Sequence, residues 1–265
     1  CKSGHFQEVY KQKYRKVSFI WRKDLTENDF KTLVGSYSVN LAGSNVTNQD
    51  LKYLSGVHTI DLSNTQVSNE GMKSLKGVST IDLSSTEVTD EGLKHLSSVS
   101  DVHTINLAST QVTDEGLKYL SGVHTINLEN TQVTDAGMKN LKGVHTINLA
   151  YTQVTDEGLK YLSGVFHIDL TRTKVTDVGM EYLKGVSFIQ LSKTQVTNEG
   201  MKSLKGVHTI YLSYTEVTDE GLKYLEGVHS IYLRDTNVTD QGVNYLRSTG
   251  TNTILSSDLN ISFYI

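Results

Sequence analysis

The chain has 265 residues, of which 37 % are hydrophobic and 20 % are charged, and 25 basic residues stand against 29 acidic ones. This composition predicts a soluble globular protein. The slightly acidic balance argues against a main role in nucleic-acid binding, because phosphate neutralisation needs clustered Lys and Arg. The one cysteine excludes an internal disulfide and a zinc site of the usual kind. No apolar run is long enough for a membrane span.

The N-terminal segment differs in kind from the rest of the chain. Its first 23 residues contain seven Lys or Arg against one acidic residue, together with five aromatic residues. Phe6, Tyr10, Tyr14 and Val17 fall at helical spacing, which predicts an amphipathic helix. We interpret residues 1–35 as a cap over the apolar end of the fold. Contact of this basic stretch with acidic lipid or nucleic acid is the alternative.

A 21-residue repeat follows this segment. Its marker leucines are Leu41, Leu62, Leu83, Leu107, Leu128, Leu149, Leu170, Leu191, Leu212 and Leu233. Every interval between them is 21 residues except one of 24, which reflects an insertion near residues 98–101. A fixed period of this kind indicates a repeat architecture and overrides any estimate of domain number from length.

Each part of the repeat predicts a structural element. In residues 124–128, apolar and polar side chains alternate, which is the period of a strand with one buried face. Thr134 then supplies a helix N-cap, and Asp135 places a negative charge in the first turn. Met138 and Leu141 form the apolar edge of a short helix. Since such a unit cannot bury its own apolar face, stability must come from stacking with its neighbours.

These features predict an α/β solenoid of about ten strand–turn–short-helix units over residues 36–248. Parallel strands would form a concave sheet, and short helices would lie on the convex side. Residues 249–265 would form a C-terminal cap. The predicted core of one unit comprises Val144, Ile147, Leu149, Val154, Leu159 and Leu162. The threonine that follows each Leu-x-x is expected to satisfy backbone groups of the loop.

The pattern L-x-L-x-x-T-x-V-T-D-x-G-L-x-x-L resembles that of leucine-rich repeat proteins. It is most similar to the ribonuclease-inhibitor-like subclass, found in F-box proteins and in related arrays of bacteria and large DNA viruses. This resemblance implies a non-catalytic scaffold for protein recognition. Residues 6–14 are also similar to the closing helix of an F-box. That likeness implies that an upstream region recruits a ubiquitin ligase while the repeats select its substrate.

The repeat argues against an enzyme. Catalysis needs unlike groups that converge in a pocket, whereas each turn of this chain places the same residue type at the same position. The paired carboxylates of Asp114-Glu115 and Asp219-Glu220 stand at predicted helix starts, where capping explains them. We therefore predict no catalytic residues and no cofactor.

Histidines recur at the second position of the unit. They are His58, His103, His124, His145, His208 and His229. Neighbouring rings should stack about 4.8 Å apart along a parallel sheet. Such a column could hold a transition metal or gain charge between pH 5 and 7. Because no carboxylate or cysteine supports it, we favour a copied strand residue and predict no metal site.

Function is expected where the copies differ. The outward strand positions are small or polar in the first repeats and become large from the sixth repeat onward. The predicted partner-binding residues are Tyr151, Phe166, Arg172, Phe188, Gln190, Lys193, Tyr211, Tyr214, Tyr232 and Arg234. Tyr211 and Tyr232 should stack because they share a repeat position. Arg172 should stack between Tyr151 and Lys193. Sheet stabilisation by these aromatic pairs is the alternative to binding.

We predict non-catalytic recognition of a protein partner on the concave face of repeats 6 to 10. The cations Arg172, Lys193 and Arg234 point to an acidic or phosphorylated segment. The alternative is a structural component of a virion, surface layer or adhesion complex, which would use its ends or convex face.

The default location is intracellular, with surface or virion association as the alternative. The sequence leaves the oligomeric state open.

Overall fold

The computed structural model describes residues 15–97 and 102–255. These residues fall into two compact units, which divide between Val123 and His124. The predicted helix over residues 6–14 and the insertion at 98–101 lie outside the described residues. So do residues 256–265, which make up most of the predicted C-terminal cap.

In the first unit, short strands alternate with short helices. The strands are β1 (Lys16–Ser18), β2 (Ser38–Asn40), β3 (Thr59–Asp61), β4 (Thr80–Asp82) and β5 (Thr104–Asn106). The helices are α1 (Glu27–Lys31), α2 (Asn69–Met72), α3 (Asp90–Ser97) and α4 (Asp114–Leu117), and a 3₁₀ helix covers Asp50–Leu54. Strands β1 to β5 pair in chain order, and every pair is parallel.

The second unit repeats the same alternation. Its strands are β6 (Thr125–Asn127), β7 (Thr146–Asn148), β8 (His167–Asp169), β9 (Phe188–Gln190), β10 (Thr209–Tyr211), β11 (Ser230–Tyr232) and β12 (Thr253–Leu255). Its helices are α5 (Asp135–Met138), α6 (Asp156–Leu159), α7 (Asp177–Met180), α8 (Asn198–Met201), α9 (Asp219–Leu222) and α10 (Asp240–Ser248). Helices α5, α7, α8 and α9 continue as 3₁₀ turns over Lys139–Leu141, Glu181–Leu183, Lys202–Leu204 and Lys223–Leu225. Strands β6 to β12 pair in parallel and in chain order.

The predicted leucine-rich-repeat solenoid fold is confirmed in each unit. The register brings Ile147 beside Ile126 on one side and beside Ile168 on the other. The buried residues of this repeat are Val144, Ile147, Leu149, Val154, Leu159 and Leu162, as predicted. Strand β6 covers residues 125–127 and is shorter than the alternating pattern of residues 124–128 predicted, although backbone bonds to the next repeat continue from the Leu128 amide to the Asn148 carbonyl oxygen at 2.9 Å.

Residues 15–35 have the conformation of a repeat. Strand β1 pairs with β2 in the common register, with Val17 beside Val39. Phe30 in α1 and Leu33 after it are buried at the positions of the apolar helix edge. Val17 therefore lies in a strand, and its predicted place in an amphipathic helix is wrong, because residues 16–18 extend the sheet. The role of residues 1–35 as a cap stays a prediction.

The column of threonines closes the loops that follow the strands. The Thr152 hydroxyl donates to the carbonyl oxygen of Leu149 at 2.6 Å. The same bond, at 2.6–2.8 Å, is made by Thr65, Thr86, Thr110, Thr131, Thr173, Thr194, Thr215 and Thr236. These hydroxyls therefore satisfy loop backbone groups, as the sequence predicted.

An aspartate or asparagine side chain at one helix start bonds to the helix start of the next repeat. The Thr155 hydroxyl accepts from the Glu157 amide at 3.3 Å and so caps α6. The same hydroxyl donates to the Asp135 carboxylate of the preceding repeat at 2.7 Å, and the Thr155 amide does so at 2.8 Å. Asp135 also accepts from the Gly158 amide at 3.0 Å. The acidic residue thus connects two repeats, a role that the helix-cap pattern did not predict.

This connection recurs along the chain, and it explains why each of these helices has glycine at the position of Gly158. Corresponding pairs are Asp90 with Thr113, Asp156 with Thr176, Asp177 with Thr197, Asp219 with Thr239, and, with an amide in place of the carboxylate, Asn198 with Thr218. A Cβ at Gly158 would lie 2.6 Å from Asp135 Oδ1 and 3.0 Å from Met138 Cγ. Glycine is therefore required because the preceding carboxylate occupies the space of a side chain.

Replacing Ile147 or Leu149 with Ala should lower the free energy of unfolding by about 2–5 kcal/mol, because each change leaves a cavity in a closely packed core. Chemical denaturation followed by circular dichroism measures this. The exposed Gln153→Ala variant is the control and should change the value by less than about 0.5 kcal/mol. An unchanged unfolding midpoint in the core variants would contradict the stacking model.

Gly158→Ala should lower the free energy of unfolding by about 1–3 kcal/mol, although alanine favours a helix by about 1 kcal/mol over glycine. The same substitution in an Asp135→Ala background should be less harmful, because the carboxylate that meets the new Cβ is gone. A double-mutant cycle by denaturant titration measures the coupling. Equal losses in both backgrounds would show that Asp135 does not set the requirement for glycine.

Candidate binding surface

The predicted binding residues all lie in the second unit, on the side of the sheet away from the buried isoleucines, which we call the exposed sheet face. Gln190, Tyr211 and Tyr232 end three successive strands and form the strand column. Phe166 and Phe188 lie where β8 and β9 begin. The remaining residues follow the strands. The predicted residues therefore lie along three lines that cross the strands: where the strands begin, where they end, and in the loops after them. They do not converge on one pocket.

The loop column is defined by Tyr151, Arg172, Lys193, Tyr214 and Asp235, each three residues beyond its strand. All five have left-handed backbone conformations, with φ between 51° and 60°. This region is unfavourable for residues other than glycine and, to a lesser degree, asparagine. In the first unit the corresponding positions carry small residues, Asn64, Ser85 and Ser109.

Two adjacent cations lie between two tyrosines in the loop column, and each packs on one of the rings. The Arg172 guanidinium lies 5.2 Å from the Tyr151 ring centroid, which confirms the predicted contact between these two residues. The Lys193 ammonium lies 4.6 Å from the Tyr214 ring, so Lys193 packs on Tyr214. Arg234 packs against the same ring at 5.7 Å. Such contacts order the cations and leave the charge available, because a ring contributes no anion.

Two of these cations are not neutralised by the protein. Arg234 forms an ion pair with Asp235 at 3.1 Å. Among the described residues, neither Arg172 nor Lys193 forms an ion pair. Tyr151 and Tyr214, the rings on which they pack, are themselves 47 % and 42 % exposed. The loop column therefore presents positive charge and aromatic surface to the solvent.

The tyrosines of the strand column stack closely. The ring centroids of Tyr211 and Tyr232 are 4.0 Å apart and the rings are tilted by only 5°, which confirms the predicted stack. Burial raises the pKa of the Tyr211 phenol, and a hydrogen bond with Tyr232 and the charge of Asp169 raise it further. Tyr211 therefore stays neutral, and its hydroxyl can donate or accept hydrogen bonds.

Aromatic and imidazole rings form a third column, the ring column. His124 and His145 stack at 4.6 Å, and His208 and His229 also stack at 4.6 Å, close to the spacing expected from the sheet. Phe166 stacks on His145 at 4.8 Å and so continues the column. Within the described parts of the chain, no three His, Cys, Asp or Glu side chains come close enough together to bind a metal ion.

Asp169 is a functional candidate that the sequence analysis missed. It ends β8, it is only 6 % exposed, and its Oδ1 accepts from the Thr171 amide at 2.8 Å. Burial raises the pKa of this carboxyl to about 6, and the charge of Glu129 adds to the increase, while hydrogen bonds from Thr171 oppose it. The sequence offers one signal for it. At this repeat position the two preceding repeats have asparagine, Asn127 and Asn148, whereas this repeat has aspartate.

The equivalent acids of the first unit have better partners. Asp61 accepts from the Asn40 amide and Asp82 accepts from the Asn106 amide, both at 2.9 Å. The amide of Asn148, which is paired with Asp169 in the register, donates to Glu129 at 3.4 Å. Within the described residues, Asp169 therefore lacks the side-chain amide donor that Asp61 and Asp82 have.

Sequence comparison places leucine-rich repeats in this chain. A family model described as Leucine Rich repeat matches residues 57–76, 78–97, 100–121 and 144–163. No curated protein matches the chain. These matches and the structure show leucine-rich repeats and a leucine-rich-repeat fold, whereas the ribonuclease-inhibitor-like and F-box likenesses have no support from these matches.

Solved structures share the fold at low sequence identity. An internalin (inlF) from Listeria monocytogenes has a TM-score of 0.71 at 15 % identity, over 92 % of this chain and 74 % of that one. The leucine-rich repeat protein LIC12759 of Leptospira interrogans gives 0.58 at 16 %, over 87 % and 74 %. The Arabidopsis receptor kinase HAESA, solved with the peptide hormone IDA and the co-receptor SERK1, gives 0.59 at 12 %, over 91 % and 46 %. At these identities the likeness establishes the fold alone.

The described helices are all too short or too polar to cross a membrane. Leucine-rich repeat proteins generally act in protein–protein recognition, and the fold is a typical non-enzymatic scaffold.

Asp169→Asn should raise the free energy of unfolding at pH 7.5 by up to about 3 kcal/mol, because a carboxyl with a pKa of about 6 when folded and about 3.9 when unfolded disfavours folding once ionised. The folded state binds this proton more tightly, so the wild type gains stability as pH falls from above 6 towards 4. The advantage of the variant should therefore shrink over that range.

Denaturant titrations of both proteins at pH 7.5, 6 and 4.5 measure this difference. Burial and the charge of His145 lower the pKa of His167, so its protonation opposes folding on acidification. His167 is present in both proteins, and its effect cancels in the comparison. A difference that stays constant with pH would show that Asp169 does not titrate in this range.

Proposed function

We propose that this protein is a non-catalytic recognition scaffold that binds a protein partner on the exposed sheet face between Tyr151 and Arg234, the face that we expect to be concave. One observation carries the proposal. Large tyrosine, arginine and lysine side chains occupy left-handed positions at which the first unit has asparagine or serine. A strained backbone conformation that persists at several adjacent positions favours a role in function over one in stability.

The chemistry of the face supports an acidic partner. Arg172 and Lys193 follow one another in successive repeats, and both pack on tyrosine rings. Tyrosine and arginine contribute more than other residues to the energy of protein interfaces. Two ordered cations with no carboxylate partner in the described chain would pair with carboxylates or with a phosphorylated side chain. We therefore propose an acidic or phosphorylated segment as the bound part of the partner.

The stacked tyrosines and the ring column would form the rest of the contact. Tyr211 and Tyr232 offer hydroxyls where their strands end, and Phe166, which is 42 % exposed, offers apolar surface at the opposite edge of the face. A charged edge and an aromatic edge on one rigid sheet would fix the orientation of a bound segment. HAESA, which shares the fold, was solved in complex with a peptide hormone, and this is consistent with a peptide segment as the ligand.

The role as a ubiquitin-ligase adaptor depends on residues 6–14, which lie outside the described residues. The same face would select the substrate if an F-box precedes the repeats. In a structural component of a larger assembly, contacts would instead involve the ends or the helix side. An intracellular location stays a default prediction.

Replacing both Arg172 and Lys193 with Asn should abolish binding of an acidic partner and leave the fold intact, because asparagine occupies the same left-handed position at Asn64 and Asn130. The free energy of unfolding should stay constant or rise by up to about 1 kcal/mol. A Tyr151→Asn, Tyr214→Asn pair tests the rings in the same way. Selection of short random peptides on the wild-type protein, with counter-selection on the Arg172/Lys193 variant, would identify ligands for calorimetry.

The matched control is Lys139→Gln with Lys142→Gln, which removes the same charge from exposed residues on the helix side. Enrichment of acidic peptides that bind the wild type and this control, but not the Arg172/Lys193 variant, would support the proposal. Peptides that bind all three proteins equally would place recognition elsewhere and favour the assembly role.

A further inference from the structure

We propose that Asp169 makes this recognition proton-linked: the exposed sheet face binds an anionic segment more tightly when the Asp169 carboxyl is protonated than when it is ionised. This inference rests on the proposed function, because it concerns the same face and the same class of partner. It adds a regulatory residue that does not itself carry the positive charge of the site.

The position of Asp169 in the sheet supports the inference. In the register it stands between Asn148 of β7 and Gln190 of β9, and Arg172 follows three residues later in the same repeat. Its charge acts on Tyr211 two strands away, so it contributes to the potential of the strand column. An ionised Asp169 therefore lies on the face where a partner's carboxylates would approach.

Asp169 is also poorly compensated. It is 94 % buried and forms no ion pair with the described residues. An ionised group in such surroundings has a stronger electrostatic effect than one in water, because the local dielectric constant is lower. The amide that would balance it, by analogy with Asn40 and Asp61, instead contacts Glu129.

The other charged or titratable groups near Asp169 can be named. Glu129 follows β6 and raises the proton affinity of Asp169 through its charge. His167 precedes Asp169 by two residues on the same face. Burial and the charge of His145 lower the pKa of His167. Tyr211 stays neutral because burial raises the pKa of its phenol, and Arg172 follows Asp169 by three residues in the same repeat. Acidification would thus neutralise Asp169 and protonate His167, and both changes favour an anionic partner, so the test must separate them.

The size of the effect follows from the fraction of protein with a neutral carboxyl. With a pKa of about 6, about 3 % of molecules are protonated at pH 7.5 and about three quarters at pH 5.5. A partner that bound only the protonated form would therefore bind about 25-fold more tightly at pH 5.5. A partner that tolerated the ionised form in part would show a smaller, several-fold increase.

The test uses the full chain and a poly-aspartate peptide, whose charge changes little between these pH values. Calorimetry at pH 7.5 and 5.5 compares the wild type with Asp169→Asn, which has the residue of Asn127 and Asn148 at the same repeat position. Asp82→Asn makes the same change in the first unit, where the acid has an amide partner. The Arg172/Lys193 double variant reports whether the peptide uses the proposed site.

We expect the wild type and Asp82→Asn to bind poly-aspartate several-fold to about 25-fold more tightly at pH 5.5. Asp169→Asn should bind at pH 7.5 nearly as tightly as the wild type does at pH 5.5, with only the weaker dependence left by the histidines. If Asp169→Asn kept the full pH dependence, the inference would be overturned and the proposed function would stand. Absence of binding to the wild type at both pH values, or equal binding to the Arg172/Lys193 variant, would overturn both.

Discussion

The structure depends on the contact that each repeat makes with the next, because no repeat can bury its own apolar face. The acidic residue at one helix start bonds to the amide and hydroxyl of the next N-cap threonine, as Asp135 does with Thr155. That carboxylate takes the space where Gly158 would otherwise carry a side chain. Asp, Thr and Gly are therefore parts of one interaction, and where asparagine replaces the aspartate, as at Asn69 and Asn198, its side-chain oxygen accepts from the same threonine amide.

This constraint leaves function to the opposite side of the sheet. The isoleucine and leucine of each strand, the loop threonine and the helix start are all committed to stacking. The positions that vary freely are those of the exposed sheet face. The first unit fills them with asparagine, aspartate and serine, as at Asn40, Asp61 and Asp82, which bond to one another or to the loops. The second unit keeps asparagine at Asn127, Asn130 and Asn148 and places aromatic and cationic residues at many of these positions from Tyr151 onward.

In the loop column, the large residues of the second unit are less favourable for stability than the asparagine and serine of the first unit. A left-handed backbone suits asparagine better than tyrosine, arginine or lysine. The large residues recover part of the loss by packing on one another, as Arg172 does on Tyr151. Asp169 shows the same conflict, since burial disfavours its ionised form and raises its pKa despite the bond from the Thr171 amide. Both features lie on the proposed binding face, and neither is needed to hold the repeats together.

The sequence by itself determined the repeat, the buried set and the strand-to-helix order, because spacing of apolar residues depends only on local geometry. It also predicted the Tyr211–Tyr232 stack, since equal repeat positions become neighbours in a parallel sheet. Only the tertiary structure decided that Asp135 binds the next repeat, that Val17 lies in a strand, and that Tyr151 and Arg172 have left-handed backbones. It likewise decided that Asp169 is buried. These features arise from contacts between residues some twenty positions apart and from the space left around a side chain, which no pattern within one repeat contains.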